Sequence, residues 1–428
     1  MPGIAYPLVG HTLDNGLEVV VSPDHTVPTT AVNLWVKVGS RDESPGRTGF
    51  AHLFEHLMFQ GSRNVAANEH FSALLAVGGR LNATTWFDRT NYFETVPRGA
   101  LELALWLEAD RHGRLLDAVT QENLDNQRDV VKEEKRQRYD NAPYGNALRD
   151  IYATVFPEGH PYHHPTIGSM EDLDAASLDD VRAFYARHYG PNNSVLTIVG
   201  DVEPEEAIEL VEKHFGPLPA SATPRQEGLI DPLESLTRPV RCERAELVPN
   251  DRIFLAFRLP ADTTPGFLGA GLALDALGGF GSSRLVERLV RTEQIATSVS
   301  AYPMGLSGGT SLGLLSVDVA AGVEPGRVEN EIVEELAGFA DTGPTDEELD
   351  IALAVTERSW LSNLAAQDER ADHVSHYAAL YDDPGYVNSF LDRVADISPA
   401  DVQEAAGSWL HPESRAVVLY CSEEGDRP

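Results

Sequence analysis

Two histidines stand four residues apart in Gly49-Phe50-Ala51-His52-Leu53-Phe54-Glu55-His56-Leu57-Met58-Phe59, with a glutamate between them and apolar residues around them. In a helix, positions i, i+3 and i+4 share one face, so His52, Glu55 and His56 would converge on one point. Two neutral imidazoles one turn apart can grip a single Zn2+ at about 2.0–2.1 Å. A carboxylate beside such a metal is a candidate base for a water on it. The order H-x-x-E-H is the inverse of the H-E-x-x-H zinc motif. A lone histidine on an apolar helix face is ordinarily a core or surface residue. The pair with its intervening glutamate is what turns the reading towards a metal.

The surrounding elements must hold that helix. Asn15-Gly16 lies between HTL and LEVVVS and predicts a hairpin. Thr30 to Val38 alternates apolar and polar residues as a strand does. After the histidine run, GGRLNATT and DRTNYFETV read as two strands joined at a short turn. An amphipathic helix is expected from Leu101 to about His112, and a longer, highly charged one from Gln121 to Tyr139. Ser177-Leu178-Asp179-Asp180 has the form of a helix cap, with its helix ending near Tyr189-Gly190-Pro191. SVLTIVGDV then predicts a buried strand and EPEEAIELVEKHFG a short helix.

The stretch PLPASATPRQEGLIDPLESLTRP is rich in Pro, Ser and Thr and has no periodicity, as a linker does. It divides the chain into 1–220, a linker at 221–240, and 241–428. The two parts look duplicated. TQENLD at 120–125 matches TDEELD at 345–350, and SVLTIVGDVEP matches RAVVLYCSEEG, in the same order. In that register His52, Glu55 and His56 fall against Leu272, Asp275 and Ala276, and Glu134 against Ser359. One metal per chain is therefore expected.

At 428 residues, 42% of them apolar, the chain suits two or more domains rather than one core. It holds no run of eighteen apolar residues and begins with no secretory or organellar leader, so no membrane and a cytoplasmic setting are expected. Cys242 and Cys421 alone cannot build a disulfide scaffold or a thiolate zinc site. The formal charge of −34 disfavours nucleic acid, which needs Lys/Arg surfaces. His160, His163 and His164 sit among prolines and glycines and read as a loop near an interface. Gly278, Gly279 and Gly281 have no Lys-Ser/Thr after them, so the stretch reads as an ordinary loop rather than a phosphate cradle.

Five ordered blocks carry a wider resemblance: GRTGFAHLFEHLMFQGS, GGRLNATTWFDRTNYFETVP, NQRDVVKEEKRQRYDNAPYG, HPYHHPTIG and HYGPNNSVLTIVGDV. With them, essentially the whole chain resembles the pitrilysin/insulinase family of inverted-motif zinc peptidases. That family includes the mitochondrial processing peptidases and their bacterial relatives. The resemblance implies an α+β fold of two homologous halves, each a mostly antiparallel sheet with helices packed on one face. It implies an N-terminal zinc-binding peptidase domain and a C-terminal inactive one.

For the site, the resemblance implies His52 and His56 as zinc ligands and Glu55 as general base. The third ligand is a glutamate some seventy-odd residues downstream in a V-V-x-x-E context, which selects Glu134 in Val130-Val131-Lys132-Glu133-Glu134, with Glu133 as the alternative one residue away. It implies peptide binding as an added strand near Asn82, Ala83 and Thr84. Where many members carry a second acidic residue seven positions before the ligand, this chain has Gln127. Where self-sufficient members carry an arginine and a tyrosine in the C-terminal half, it has Val290 and Thr297, with Arg291 adjacent. The family's two-chain members divide these parts. The expectation is thus a zinc endopeptidase for peptides or unfolded segments, paired with a homologous zinc-less partner supplying the arginine and tyrosine. A homodimer is the other pairing. The alternative function is a non-catalytic peptide-binding or assembly subunit.

Overall fold

The computed structural model of the chain describes residues 5–222 and 232–423, so the expected linker lies in part outside the described residues. The first part runs β1 (Val9–Thr12), β2 (Glu18–Pro23), β3 (Thr29–Val36), α1 (Phe50–Leu57), α2 (Glu69–Ala76), β4 (Arg80–Thr85) and β5 (Thr90–Pro97). It continues through α3 (Leu101–Arg114), α4 (Gln121–Lys135), α5 (Ala147–Val155), α6 (Met170–Asp174), α7 (Leu178–His188), β6 (Ser194–Gly200) and α8 (Pro204–Phe215). The second part opens with β7 (Val240–Glu246), β8 (Arg252–Leu259), α9 (Pro265–Leu274), β9 (Ala296–Met304) and β10 (Ser311–Val319). It closes with α10 (Pro325–Thr342), α11 (Asp346–Ala365), α12 (Gln367–Tyr381), α13 (Tyr386–Ala395), α14 (Pro399–Trp409) and β11 (Ala416–Ser422).

Local chemistry sets several of these boundaries. The β1–β2 hairpin turns at Gly16, whose φ of +85° suits glycine, and the Asn15 side chain accepts from Leu17 N at 3.2 Å. Thr120, Ser177, Thr345 and Ser398 each cap a helix by accepting from the backbone N–H three residues on. The charged helix α4 keeps α-helical bonding only to Lys135 and ends in a wider π-helical turn, Arg136–Asp140. A second such turn, Asp275–Gly279, follows α9, so Gly278 and Gly279 belong to a helical end rather than to the loop expected there.

The strands form a six-stranded sheet, β1-β2-β6-β3-β5-β4, and a five-stranded sheet, β7-β11-β8-β10-β9. Each contains one parallel pair, β2 with β6 and β7 with β11, and is antiparallel elsewhere. From the parallel pair outward the two orders coincide strand for strand. The duplication is therefore visible in the topology, and the fold is the expected α+β pair of related halves.

One face of each sheet is covered by helices of its own half. Val32, Leu34, Leu196 and Ile198 pack with residues of α3 and α8, while Leu255, Phe257, Leu315 and Val417 pack with residues of α9, α10 and α14. Strand alternation turns the next residues to the opposite face, and there the halves exchange helices. Val20, Trp35 and Val195 of the first sheet pack under α12 and α13, and Ala31 and Val199 against Ala371 of α12. In return, Ala147, Ile151 and Val155 of α5 pack on Ala256, Leu314 and Val418 of the second sheet. Polar links follow the same exchange. Asp150 of α5 accepts from Arg244 and Tyr420, and Arg370 of α12 pairs with Asp24. No helix among the described residues is long and apolar enough to cross a membrane.

Candidate metal centre

Helix α1 is anchored at its start by Gly49, whose φ of +87° and close approach to the Ile167 carbonyl leave no room for a Cβ. The buried Glu43 carboxylate accepts from Gly49 N at 2.9 Å and from Ala51 N at 2.8 Å, satisfying two of the helix's free donors. Leu53, Phe54 and Leu57 are fully buried, and this fixes the rotation of α1. His52, Glu55 and His56 are then left on its half-buried side, facing α4 and the end of β4.

The Glu134 Oε2 of α4 lies 3.3 Å from His56 Nε2 and 3.8 Å from His52 Nε2. The two imidazole centroids are 4.8 Å apart, their planes at 78°. Among the described residues this is the one group of three His, Cys, Asp or Glu side chains whose ligand atoms all lie within 4.8 Å. Ligand bonds of about 2.0–2.1 Å in a tetrahedron require donor atoms about 3.3 Å apart, so the residues present fit a zinc ion. Their protonation suits it too. Burial, then the neighbouring His56, push the His52 imidazole down to about 4, leaving it neutral. The hydrogen bond with His56 holds the Glu134 carboxyl below its usual range. The other oxygen, Oε1, accepts from Arg138 at 2.7 Å.

Glu55 points to β4, where Thr85 Oγ1 donates to its Oε2 at 2.6 Å. Burial raises this carboxyl's affinity for a proton, against the opposing hydrogen bond from Thr85 and the charge of His56. Thr85 and Arg138 escaped the sequence reading. Thr85 alternates with Thr84 on the strand after Asn82-Ala83, and that period-two pattern was the available signal.

Asn82, Ala83 and Thr84 all lie on β4, which ends the six-stranded sheet and leaves one strand edge unpaired. Ala83 is buried in the cluster that holds Phe50, Phe54 and Leu57 of α1, whereas Asn82 is exposed. Thr84 bonds to Asn91 on the opposite face. Glu133 is exposed and pairs with Arg136 and Gln137 instead. Gln127 is buried within α4. His160 stacks on Phe156 and His163 meets the Phe156 carbonyl, and neither joins His164 in a metal-binding group.

In the second half Leu272 and Ala276 are buried, and Asp275 takes a hydrogen bond from Thr356 of α11. Val290 packs against the second core, and Thr297 is the second residue of the edge strand β9. Arg291 is held by Glu287 and the Gly281 carbonyl.

Two family models match this chain: Insulinase (Peptidase family M16) over residues 18–167, and Peptidase M16 inactive domain over residues 175–355. The chain belongs to the insulinase family of peptidases, peptidase family M16. Within this family it is 31% identical over 406 residues to the zinc protease PqqE of Helicobacter pylori, across 90% of this chain and 87% of that protein. An uncharacterised zinc protease of Mycobacterium leprae is 32% identical over 96% of this chain and 92% of its own. A crystal structure of a protease from Helicobacter pylori superposes with a TM-score of 0.89 at 28% identity, covering 98% of this chain and all of that one (100%).

Proposed function

We propose that this family member is a zinc metalloendopeptidase that hydrolyses peptides or unfolded polypeptide segments. The observation that carries the reading is the convergence of His52, His56 and Glu134 beside Glu55. Zinc held by His52, His56 and Glu134, one ion per chain, supplies Lewis acidity that activates water and polarises the scissile carbonyl. Glu55 takes the attacking water's proton and hands it to the departing amine. Its raised proton affinity suits that shuttle, and Thr85 keeps one of its oxygens oriented. An extended peptide adds to the free edge of β4 along Asn82, Ala83 and Thr84, so main-chain bonds give affinity with little sequence preference.

Val290, Thr297 and the occupied Arg291 supply no arginine–tyrosine pair at the expected places, which supports a homologous partner that brings it. A crystal structure of the periplasmic protease PqqL of Escherichia coli has this fold in a chain of which the present one covers 48%, with a TM-score of 0.78. That length supports an assembly of two such units, either with a zinc-less homologue or with a second copy of this chain. The division into 1–220, 221–240 and 241–428 belongs to the same proposal. The unpaired Cys242 and Cys421 support a cytoplasmic setting. A non-catalytic peptide-binding or assembly subunit is the second reading, favoured by the missing arginine–tyrosine pair.

Comparing the zinc-loaded chain with Glu55→Gln on a mixture of unstructured peptides, each alone and with a zinc-less homologue carrying the arginine–tyrosine pair, decides between them. The peptidase reading expects one zinc in both proteins and a loss of turnover of roughly 10²–10⁴-fold in the variant. Equal turnover in both would overturn it.

A further inference from the structure

Resting on the reading of Glu55 as the proton-transferring base, we propose that Asp372 is a positioning residue for it. Asp372 belongs to α12, in the half that lacks the metal residues, and acts through the end of β4. Its Oδ1 accepts three hydrogen bonds from the first sheet: Asn33 Nδ2 at 3.1 Å, Trp35 Nε1 at 2.8 Å and Asn91 Nδ2 at 2.8 Å. Asn91, so oriented, turns its own oxygen to Thr84 Oγ1 at 2.6 Å. Arg89 donates to the Thr84 carbonyl at 2.9 Å and to its hydroxyl, and its guanidinium lies 5.3 Å from the Trp35 ring centroid. Asn33, Trp35 and Asn91 are thereby tied directly to one carboxylate, and Thr84 is tied to it through Asn91.

Strand geometry converts that anchoring into orientation on the other face. Successive strand residues point to opposite sides, so fixing Thr84 towards α12 fixes Thr85 towards α1. Thr85 Oγ1 then meets Glu55 Oε2 at 2.6 Å. The arrangement matters because β4 is an edge strand, paired by β5 alone, and because it ends here in the turn closed by Trp86 N on the Arg89 carbonyl at 2.8 Å. A strand end with one neighbour is easily displaced, and the Asp372 network pins that neighbour's Asn91, and through it Thr84, to α12. The metal-less half thus reaches the chemistry by setting the direction of a hydroxyl.

The test uses the full zinc-loaded chain and a peptide substrate. Loss of an oriented outer partner typically lowers activity roughly 10–100-fold, and that fall is expected in kcat of Thr85→Val, with KM and zinc content unchanged. Thr85→Ser should restore it. Asp372→Asn keeps the side-chain shape and removes the charge. It should lower kcat when Thr85 is present and change nothing further in the Thr85→Val background, because it works through that hydroxyl. Should Asp372→Asn not fold, Thr84→Val carries the same cycle. Equal effects in the two backgrounds, or an unchanged kcat in Thr85→Val, would overturn the proposal. Crystal structures of Thr85→Val and Asp372→Asn give a reading without turnover: the Glu55 carboxylate should leave its place in both. If the wild-type chain hydrolyses nothing, alone or with a homologue carrying the arginine–tyrosine pair, while that displacement is seen, the peptidase reading fails and the positioning role stands. An undisplaced Glu55 overturns the positioning role.

Discussion

A single step along α4 separates a carboxylate that meets His56 from one that meets solvent. Glu134 faces α1, while Glu133 is turned about 100° away, onto Arg136 and Gln137. The two differ little in sequence context, and only the helix phase relative to α1 tells them apart. Replacing Glu134 by Gln should therefore abolish stoichiometric zinc, a loss beyond the roughly 10–100-fold that outer partners command. Glu133→Gln should bind zinc as the wild type does. Zinc competition against a chelator of known affinity measures both, and a Glu133→Gln protein without zinc would reverse the assignment. His52, Glu55 and His56 were legible because their spacing is local to one helix. Thr85 was not, since the period-two pattern of its strand gives only the face it lies on, and its partner is 30 residues away on another element. Arg138 looked like any charge on a solvated helix, and its tie to Glu134 depends on the turn that follows.

The helices around the second half's equivalent of the site keep the architecture of the first. Asp275, the counterpart of Glu55 in the duplicated register, sits in the π-helical turn after α9 and bonds Thr356 on α11, as α1 meets α4. With no metal residues nearby, burial pushes its carboxyl up to about 6, against that hydrogen bond. A carboxyl that holds its proton more tightly folded than unfolded stabilises the fold below about pH 4 and loses that contribution as pH rises through about 6. A rise of about two pKa units is worth on the order of 2–3 kcal/mol. Asp275→Asn should flatten this part of the stability curve and make the protein more stable than wild type at pH 7. Urea unfolding between pH 4 and 7 reads the difference, and identical curves would refute the assignment. Element boundaries were legible where a cap marked them, as at Ser177 and Thr345. The π-helical turns were not, because the residues in Arg136–Asp140 and Asp275–Gly279 carry no marker that distinguishes them from α-helix or loop.

For the molecule as a whole, the two related sheets could be inferred from ordered matches between the halves, but the exchange of α5 and α12 could not. An apolar helix face tells that a sheet is covered, not which sheet. The consequence for stability is direct. Without α12, the face bearing Val20, Trp35 and Val195 meets water, and each large apolar side chain so exposed forfeits roughly 1.5–3 kcal/mol. Residues 5–222 alone should show no cooperative unfolding and should bind a hydrophobic dye, whereas co-expression with 232–423 should restore a single transition. A fragment melting as sharply and as high as the full chain would disprove this dependence.

The two exchanged helices are equivalent by connection, α5 the third helix after β5 and α12 the third after the corresponding strand β10, so the exchange is reciprocal. Reciprocity of this kind is what two identical half-length chains achieve when each lends the same helix to the other. Within one polypeptide, the present chain thus has the geometry that two copies of one half would make by swapping this helix. Of the two halves only the first holds the metal residues, while the sheet of each still needs the helix that the other lends.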